Sequence, residues 1–432
     1  MNRCLHVGID FSQKGADFCL LFPDGRALDL HQHFANSQSG YEQARVYLLN
    51  TMQTHDFDGL NISAEATSYY WLPFFWQLAH DEQLARWRPN LFLLNPRWVH
   101  WFKRSLSPDD KTDAKDPFYI AERTRTRPPA APWSSQDDWL PLRFYTRLRF
   151  HLVQTLTREK NYALLHLFLQ HSAYATQEPF SNWLGVTSRQ VLNGELDFTD
   201  LTQLPLDELA DLLDEWSGHT LPDPQENARR LQQVAAESFL LPEPLATPVR
   251  RIFDTTLQHI ASLETLIQQV EQWITAEVQA HHPEVLTLTT VPGVGLVLAA
   301  SIAAEIGGLE RFFSGQKWDA HHKRWRPKNL RDVEDAVAKM AGLWWPRSDS
   351  GNFHSEDRHM AKSGNRYLRF AFIQAANGMR RSLPAYARFY SLKYRQAAKH
   401  KHKRALVLTA RKSVGLFVGL LHRKEAFRSK EV

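Results

Sequence analysis

Short apolar runs separated by tight turns fill the first third of the chain, and they constrain its fold more than any other feature. The first three runs are joined by connections too short to link parallel strands, so they predict an antiparallel meander. A helical segment at about 40–52 separates them from two later runs. The five runs are Leu5–Ile9, Phe18–Phe22, Ala27–His31, Leu60–Ala64 and Leu91–Leu94. Strands that alternate with helices predict an α/β domain with a mixed sheet.

The rest of the chain favours helices. A proline-containing stretch from Arg127 to Trp133 predicts a linker, and the pattern from about 140 to 281 is helical. From Ile252 to Ile274 an apolar residue recurs every three or four positions. This spacing predicts packing on another helix, either in an intrachain bundle or in a dimeric coiled coil. We favour a bundle with dimer contacts. The stretch from Ser314 to Arg331 is rich in Lys, Arg, His and Trp and predicts an exposed loop.

We therefore expect four parts in the chain. These are an α/β domain at 1–130, a helical region at 131–282, a mainly helical domain at 283–400 and a basic tail at 401–432. The length of 432 residues agrees with several domains, because a single core usually stops growing at about 250 to 300 residues.

The composition suits packed cores. Hydrophobic residues make up 43% of the chain and charged residues 23%, so disorder is not expected. The two cysteines, Cys4 and Cys19, are too few for a disulfide framework or a cysteine zinc site, which favours a reducing compartment. No stretch has the roughly 18 apolar residues in succession that span a membrane. We expect a cytoplasmic protein without a membrane partner.

Positive charge concentrates near the C-terminus. Residues 391–432 hold twelve Lys and Arg against two Glu, whereas the whole chain has a formal net charge of only +5. Lys and Arg placed at phosphates release condensed counterions, so this segment predicts a polyanionic partner such as nucleic acid. A solvated helix face explains the same charge, and charge alone does not separate the two interpretations.

Four acids stand where the predicted fold can bring them together. Asp10 and Glu65 end two predicted strands, while Asp113 and Asp116 are three apart on a predicted helix and share one face. Each acid alone has a structural interpretation, as a turn former, a helix-start acid or a partner of a neighbouring lysine. Clustered carboxylates repel one another unless cations neutralise them. The set therefore predicts a site for Mg²⁺ or Mn²⁺, which prefer oxygen ligands and activate phosphate transfer.

A glycine-containing turn, Val291-Pro292-Gly293-Val294-Gly295, lies between two apolar helical stretches. A helix-hairpin-helix of this kind presents backbone N–H groups at a helix N-terminus to a phosphate. Gly293 and Gly295 are therefore predicted to contact nucleic acid. A tight hairpin of two helices without a ligand is the alternative.

Several stretches resemble one known family. Val7-Gly8-Ile9-Asp10, Ser63-Ala64-Glu65-Ala66-Thr67 and Lys111-Thr112-Asp113-Ala114-Lys115-Asp116 look like the four-acid, RuvC-like domain of the IS one-ten family of transposases, also called bridge-RNA-guided recombinases. Val291-Pro292-Gly293-Val294-Gly295, Arg311-Phe312, Ala341-Gly342-Leu343 and Lys362-Ser363-Gly364-Asn365-Arg366-Tyr367-Leu368-Arg369 resemble its C-terminal transposase domain. Between Arg311 and Ala341 the chain is longer and more basic than the family pattern.

The resemblance implies a DNA recombinase. It implies an α/β, RuvC/RNase H-like domain with a mixed sheet, a helical middle region and a mainly α transposase domain. In this family the acids bind Mg²⁺, and a serine attacks DNA and becomes linked to it through a phosphodiester. The matching stretch runs from Pro346 to Gly351, with Ser350 as the expected nucleophile and Ser348 as the runner-up. Both serines are ordinary loop residues in the alternative interpretation.

The resemblance also implies partners. These are DNA, a structured guide (bridge) RNA, and further copies of the chain in a homodimer or homotetramer. A set of residues on or near one predicted helix is expected to contact phosphates: Lys362, Asn365, Arg366, Arg369, Arg380 and Arg381. Two other hypotheses are a RuvC-like nuclease that hydrolyses DNA with water and a non-catalytic DNA-binding protein.

Overall fold

The computed structural model describes residues 3–106, 115–129, 132–135, 138–196, 198–346, 349–350, 353–354, 360–361 and 363–428. The chain divides into two compact units. The first comprises residues 1–139, 306–340 and 414–422, and the second comprises residues 140–305, 341–413 and 423–432. The four expected parts stay a prediction.

Nine strands and eighteen α-helices form within the described residues. The strands are β1 Cys4–Phe11, β2 Gly15–Leu21, β3 Ala27–Ala35, β4 Gly59–Glu65, β5 Asn90–Leu94, β6 Gln316–Asp319, β7 Arg324–Pro327, β8 Asp349–Ser350 and β9 Phe353–His354. The helices are α1 Gln38–Thr54, α2 Leu72–His80, α3 Pro96–Leu106, α4 Asp116–Thr126, α5 Leu140–Gln170, α6 Tyr174–Gln177, α7 Val186–Gln190, α8 Phe198–Leu201, α9 Leu206–Ser217, α10 Pro224–Glu237, α11 Glu243–His281, α12 Leu286–Thr289, α13 Leu296–Ile306, α14 Glu310–Phe313, α15 Leu330–Met340, α16 Arg366–Ser382, α17 Pro384–Gln396 and α18 Lys401–Arg423.

The N-terminal sheet is mixed, which confirms the fold class predicted for this part of the chain. Its strand order is β3-β2-β1-β4-β5. β1, β2 and β3 form the predicted antiparallel meander, whereas β1, β4 and β5 run parallel. Parallel neighbours require a crossover, and α1 and α2 supply the two crossovers.

Each face of this sheet is covered by helices. Leu5, Val7 and Ile9 of β1 have no exposed surface and belong to a core that also contains residues of α1 and α2. On the opposite face, Cys19 and Leu21 of β2 pack with a residue of α4. The alternation of side chains along β1 therefore places Gly8 and Asp10 on the face that α4 covers.

The predicted linker at 127–133 is anchored at its end. Trp133 donates its backbone N–H to the carbonyl oxygen of Leu91 at 2.6 Å. Its ring lies 5.6 Å from that of Trp71 and 5.9 Å from that of Phe75. Aromatic burial thus ties this residue to the core of the sheet domain.

The middle helices form an intrachain bundle. The long helices α5 and α11 pack along each other, and residues of α5, α9, α10 and α11 share one core. The predicted apolar stripe of α11 is buried at most of its positions, including Leu257, Ile260 and Ile274. Ile252 and Leu266 are exceptions, since they are 39% and 45% exposed. The stripe is therefore narrower than the sequence pattern predicted.

Two C-terminal segments differ from expectation. The stretch from Ser314 to Arg331 contains an antiparallel hairpin, β6–β7, so the prediction of a loop was wrong there. The expected basic tail forms α18, whose apolar residues are largely buried. In the described part of the chain, α18 alone is long and apolar enough to cross a membrane, and 56% of its most apolar window is buried inside the protein, as in a core helix.

Close packing at Gly8 fixes where α4 lies on the sheet. A Cβ atom added at Gly8 would fall on the carbonyl oxygen of Pro117 and lie 2.5 Å from the amide nitrogen of Ala121. Ser63 of β4 supports the same contact, because its hydroxyl donates to the carbonyl oxygens of Val7 at 3.0 Å and Ile120 at 3.3 Å. Only glycine leaves enough room for the helix here.

We predict that Gly8→Ala destabilises the protein by about 2 kcal/mol or more, because the added methyl group forces α4 away from β1. Thermal or urea unfolding of the purified chain measures this effect. Gly295→Ala is the matched control, since a Cβ there meets nothing within 4 Å. Equal stability of the Gly8 variant and the wild type would contradict this account of the packing.

Candidate active site

Parallel pairing brings two of the predicted acids together at the end of the sheet where β1 and β4 finish. β1 and β4 align Ile9 with Ala64, so Asp10 and Glu65 follow at adjacent positions where these strands end. Both side chains are partly exposed. Because β1 and β4 are direct neighbours, the two carboxylates share one end of the sheet.

The packing of α4 brings a third acid to this edge. Asp116 is the first residue of α4, and the next residue, Pro117, lies against Gly8. Lys103 of α3 forms an ion pair with Asp116, and their side chains are 18% and 30% exposed. Asp116 also stands at the positive end of the helix dipole, which stabilises a carboxylate.

The three acids are close enough to influence one another electrostatically. The pKa of Glu65 is raised to about 7, first by burial and then by the negative charges of Asp10 and Asp116. The hydroxyl of Thr67 opposes this shift by donating to Glu65 Oε2 at 3.2 Å, and the charge of Lys103 opposes it as well. Glu65 therefore holds its proton to an unusually high pH.

This donor set fits a divalent cation by chemistry and charge. Carboxylate oxygens are the ligands that Mg²⁺ and Mn²⁺ prefer, and a cation relieves the repulsion that raises the pKa of Glu65. As the described side chains stand, no group of three or more His, Cys, Asp or Glu is arranged to hold a metal ion. Asp113 lies outside the described residues. The role of Asp10, Glu65, Asp113 and Asp116 as ligands stays a prediction.

Next to these acids, α3 presents an aromatic and basic surface. Trp98 and Trp101 are 51% and 53% exposed, and the guanidinium of Arg97 lies 4.6 Å from the ring of Trp101. Both tryptophans line a cavity of about 580 Å³ together with Arg123 and Arg127. Sequence reasoning identified neither this surface nor the Lys103 ion pair. The signal was the mixture of Arg, Trp and Lys in 96–106.

Two family matches decide where this chain belongs. A DEDD transposase model of IS110 type matches residues 7–170. A second model, described as transposase of the IS116/IS110/IS902 family, matches residues 327–391. Together they cover just over half of the chain, in the expected order. The chain belongs to the IS110 family of transposases. The resemblance to the IS one-ten family is thereby confirmed.

Curated relatives match the chain over a shorter stretch. A pilin gene-inverting protein of Moraxella bovis is 24% identical over 160 residues, which are 36% of this chain and 45% of the relative. The pilin gene-inverting protein of Moraxella lacunata is 23% identical over 158 residues, with the same two shares. The chain thus matches less than half the length of these relatives.

The predicted nucleophile lies in the second family-matched segment. Ser350 belongs to the short strand β8 and pairs with Phe353 of β9. The side chain of Ser350 is outside the described part of the structure, as are Ser348 and Lys362. The choice between the two serines therefore stays a prediction for this IS110 family member.

Two of the residues predicted to contact phosphates, at the start of α16, already form hydrogen bonds within the protein. Asn365 caps this helix by accepting from the backbone N–H groups of Tyr367 and Leu368, and its amide donates to the buried Glu305 at 2.5 Å. Arg369 donates to the carbonyl oxygen of Ala341 at 3.1 Å. Burial lowers the pKa of Arg369, although a guanidinium stays charged.

The other residues predicted to contact nucleic acid differ in their surroundings. The backbone of Gly293 lies against Gly378 of α16, since an added Cβ would be 2.5 Å from the Gly378 carbonyl carbon. Arg380 lies over the ring of Tyr390 at 4.6 Å. Gly295, Arg366 and Arg381 are exposed. A phosphate role for all of these residues stays a prediction.

We predict that Glu65→Gln stabilises the metal-free protein at alkaline pH. The folded-state pKa of about 7 lies above the usual 4.5, so the contribution of Glu65 to wild-type stability is fully present below pH 4.5 and is lost as the pH rises through 7. Glutamine removes this decline. In EDTA, the stability difference between variant and wild type should grow by about 1 kcal/mol from pH 5 to pH 8, a value reduced for partial solvent screening.

Thermal unfolding at several pH values measures this difference. Glu208→Gln, a change at an exposed acid of α9, is the control. A Glu65→Gln difference that does not change between pH 5 and pH 8 would contradict the raised pKa.

Proposed function

We propose that this protein is the recombinase of an insertion sequence, which cuts and rejoins DNA through a covalent serine–DNA intermediate. One observation carries the proposal. Asp10, Glu65 and Asp116 share one edge of a mixed sheet in a chain that belongs to a family of transposases. The names of the two Moraxella relatives, which describe gene inversion, support recombination rather than simple cleavage.

The chemistry consists of two transesterifications. The Ser350 hydroxyl loses its proton and its oxygen attacks a backbone phosphorus, while the bond from that phosphorus to one deoxyribose oxygen breaks and the freed oxygen takes up a proton. A hydroxyl of another strand then attacks the serine phosphodiester, which releases the serine and joins the strands. The number of phosphodiester bonds is conserved, so no external energy source is required.

The acids act by holding cations. Asp10, Glu65, Asp113 and Asp116 would hold Mg²⁺ or Mn²⁺, which neutralises charge on the reacting phosphate and lowers the pKa of a bound hydroxyl. Glu65 must release its proton to become a ligand, and its raised pKa makes metal affinity increase with pH up to about 7. Lys103 balances the charge of Asp116 before a cation arrives.

Nucleic acids and further copies of the chain complete the proposal. Basic and aromatic side chains of α3 lie beside the acids, where they can hold a DNA backbone or a base. A structured guide RNA would select the target by base pairing, so that the protein need not recognise the sequence itself. A homodimer or homotetramer would bring the acids of one protomer to the serine of another.

We predict that Asp116→Asn lowers strand transfer by more than about 100-fold, since even residues that only support metal ligands usually account for about 10- to 100-fold. The assay uses the full chain, Mg²⁺, a plasmid with the gene and its flanking DNA, and RNA transcribed from those flanks. Asp10→Asn and Glu65→Gln should behave alike, and EDTA should abolish the reaction. Asp211→Asn, an exposed acid of α9, is the control. Full activity of the Asp116 variant would overturn the metal assignment.

We further predict that a quenched reaction contains protein linked to DNA through Ser350. Mass spectrometry of the nuclease-trimmed adduct identifies the linked residue. Ser350→Ala should abolish the adduct and Ser348→Ala should leave it; the reverse result would move the nucleophile to Ser348. Cleavage that persists without any adduct in a Ser348→Ala, Ser350→Ala double variant would instead indicate hydrolysis by water and would contradict the proposal.

A further inference from the structure

The β6–β7 hairpin is an element that neither family match covers in full. The matched segments are residues 7–170 and 327–391, whereas the hairpin runs from Gln316 to Pro327. It lies within the basic stretch that is longer than the family pattern. Its function is therefore open to inference from its own contacts.

The strand register divides the hairpin into two chemically different faces. Trp318 pairs directly with Trp325, while Lys317 pairs directly with Arg326. Successive residues of a strand point to opposite faces, so both tryptophans lie on one face and the two paired cations lie on the other.

The cationic face anchors the hairpin to α15. Asp332 of α15 is 7% exposed and accepts from Lys317 Nζ at 2.6 Å and from Arg326 Nη1 at 2.6 Å. Asp332 also accepts from the backbone N–H of Asn329 at 2.9 Å. The guanidinium of Arg326 holds the pKa of Asp332 well below its usual range. The base of the hairpin is thus fixed by charge-assisted hydrogen bonds.

The aromatic face is directed to solvent. Trp318 and Trp325 are 47% and 62% exposed, and their ring centroids are 5.6 Å apart at an interplanar angle of 65°. A cross-strand pair orders both rings before any ligand binds. Large apolar rings held in water by a fixed scaffold are typical of a binding surface.

The tip of the hairpin carries positive charge next to the ring face, in the turn and at the margin of the cationic face. Asp319 orders the turn by accepting from the backbone N–H groups of His321 at 3.0 Å and His322 at 3.2 Å. Lys323 lies in the turn, and Arg324, which pairs with Asp319, lies on the cationic face at the tip; both side chains are exposed. Residues 315–331 contain six Lys or Arg and one acid. This surface is complementary to a polyanion with exposed rings.

We propose that the β6–β7 hairpin binds unpaired DNA, with bases stacked on Trp318 and Trp325 and phosphates at Lys323 and Arg324. Unpaired bases expose the ring faces that stack on aromatic side chains, whereas duplex bases are already stacked on one another. Under the proposed recombinase function the unpaired DNA comes from strand exchange, which exposes single strands next to the cut. The inference rests on the proposed function only in naming DNA, and not RNA, as the unpaired strand.

The test measures binding of a fluorescein-labelled 20-nucleotide oligothymidylate to the full chain by anisotropy, in EDTA so that no cleavage occurs. A Trp318→Ala, Trp325→Ala double variant should bind about tenfold or more weakly, and replacement of both by Phe should restore much of the affinity. Lys323→Ala with Arg324→Ala should reduce the salt dependence of binding. Trp76→Ala, at another tryptophan that is 47% exposed, is the matched control.

Photocrosslinking from an oligonucleotide with 5-iodouracil locates the contact directly and does not depend on how the Ala variants fold. Crosslinks in peptides with Trp318 or Trp325 support the proposal. The absence of crosslinks in peptides with Trp318 or Trp325, or wild-type affinity of the double variant, overturns it. An equal loss for duplex DNA, or a larger loss for oligouridylate than for oligothymidylate, overturns the choice of unpaired DNA. Because binding is measured in EDTA and requires no cleavage, failure here is distinct from failure of the proposed reaction.

Discussion

The contact between α4 and β1 is the constraint on which the candidate site depends. Two of the acids are placed by the sheet itself, through the parallel pairing of β1 and β4. The third acid belongs to a helix, and nothing in the hydrogen bonding of the sheet fixes that helix. Gly8 lets α4 touch the backbone of β1, and Ser63 ties the two elements with hydroxyl hydrogen bonds. Backbone packing therefore sets the position of Asp116 relative to Asp10.

The same packing creates an electrostatic conflict. Bringing Asp116 to the edge of the sheet adds a negative charge near Glu65, whose pKa rises to about 7 through burial and its neighbours. Lys103 reduces the conflict by pairing with Asp116. The raised pKa of Glu65 and the ion pair between Lys103 and Asp116 both limit the repulsion between the acids. The three acids are thus held close together at a modest cost in stability.

Sequence reasoning predicted the elements with strong local patterns and missed those that depend on tertiary contacts. The five apolar runs appear as β1 to β5, because strands buried on both faces leave short apolar runs bounded by turns in the sequence. The ion pair of Lys103 was not foreseen, since it joins α3 to α4 across residues that no period connects. The hairpin β6–β7 was taken for a loop because each strand has only four residues, too few to establish alternation. The side chains of Asp113 and the two serines are not described, so those assignments still rest on resemblance.

Residues that resemble a family motif do not all have the same physical role. Glu305 is 2% exposed and accepts from Arg147 at 2.6 and 2.8 Å and from Asn365 at 2.5 Å. A buried carboxylate needs such partners, so Asn365 and Arg147 stabilise Glu305 whether or not DNA is bound. Arg366 and Arg381, in contrast, are exposed on the same helix. A phosphate that approaches α16 would meet these two arginines, while Asn365 is already committed to Glu305 and to the helix cap.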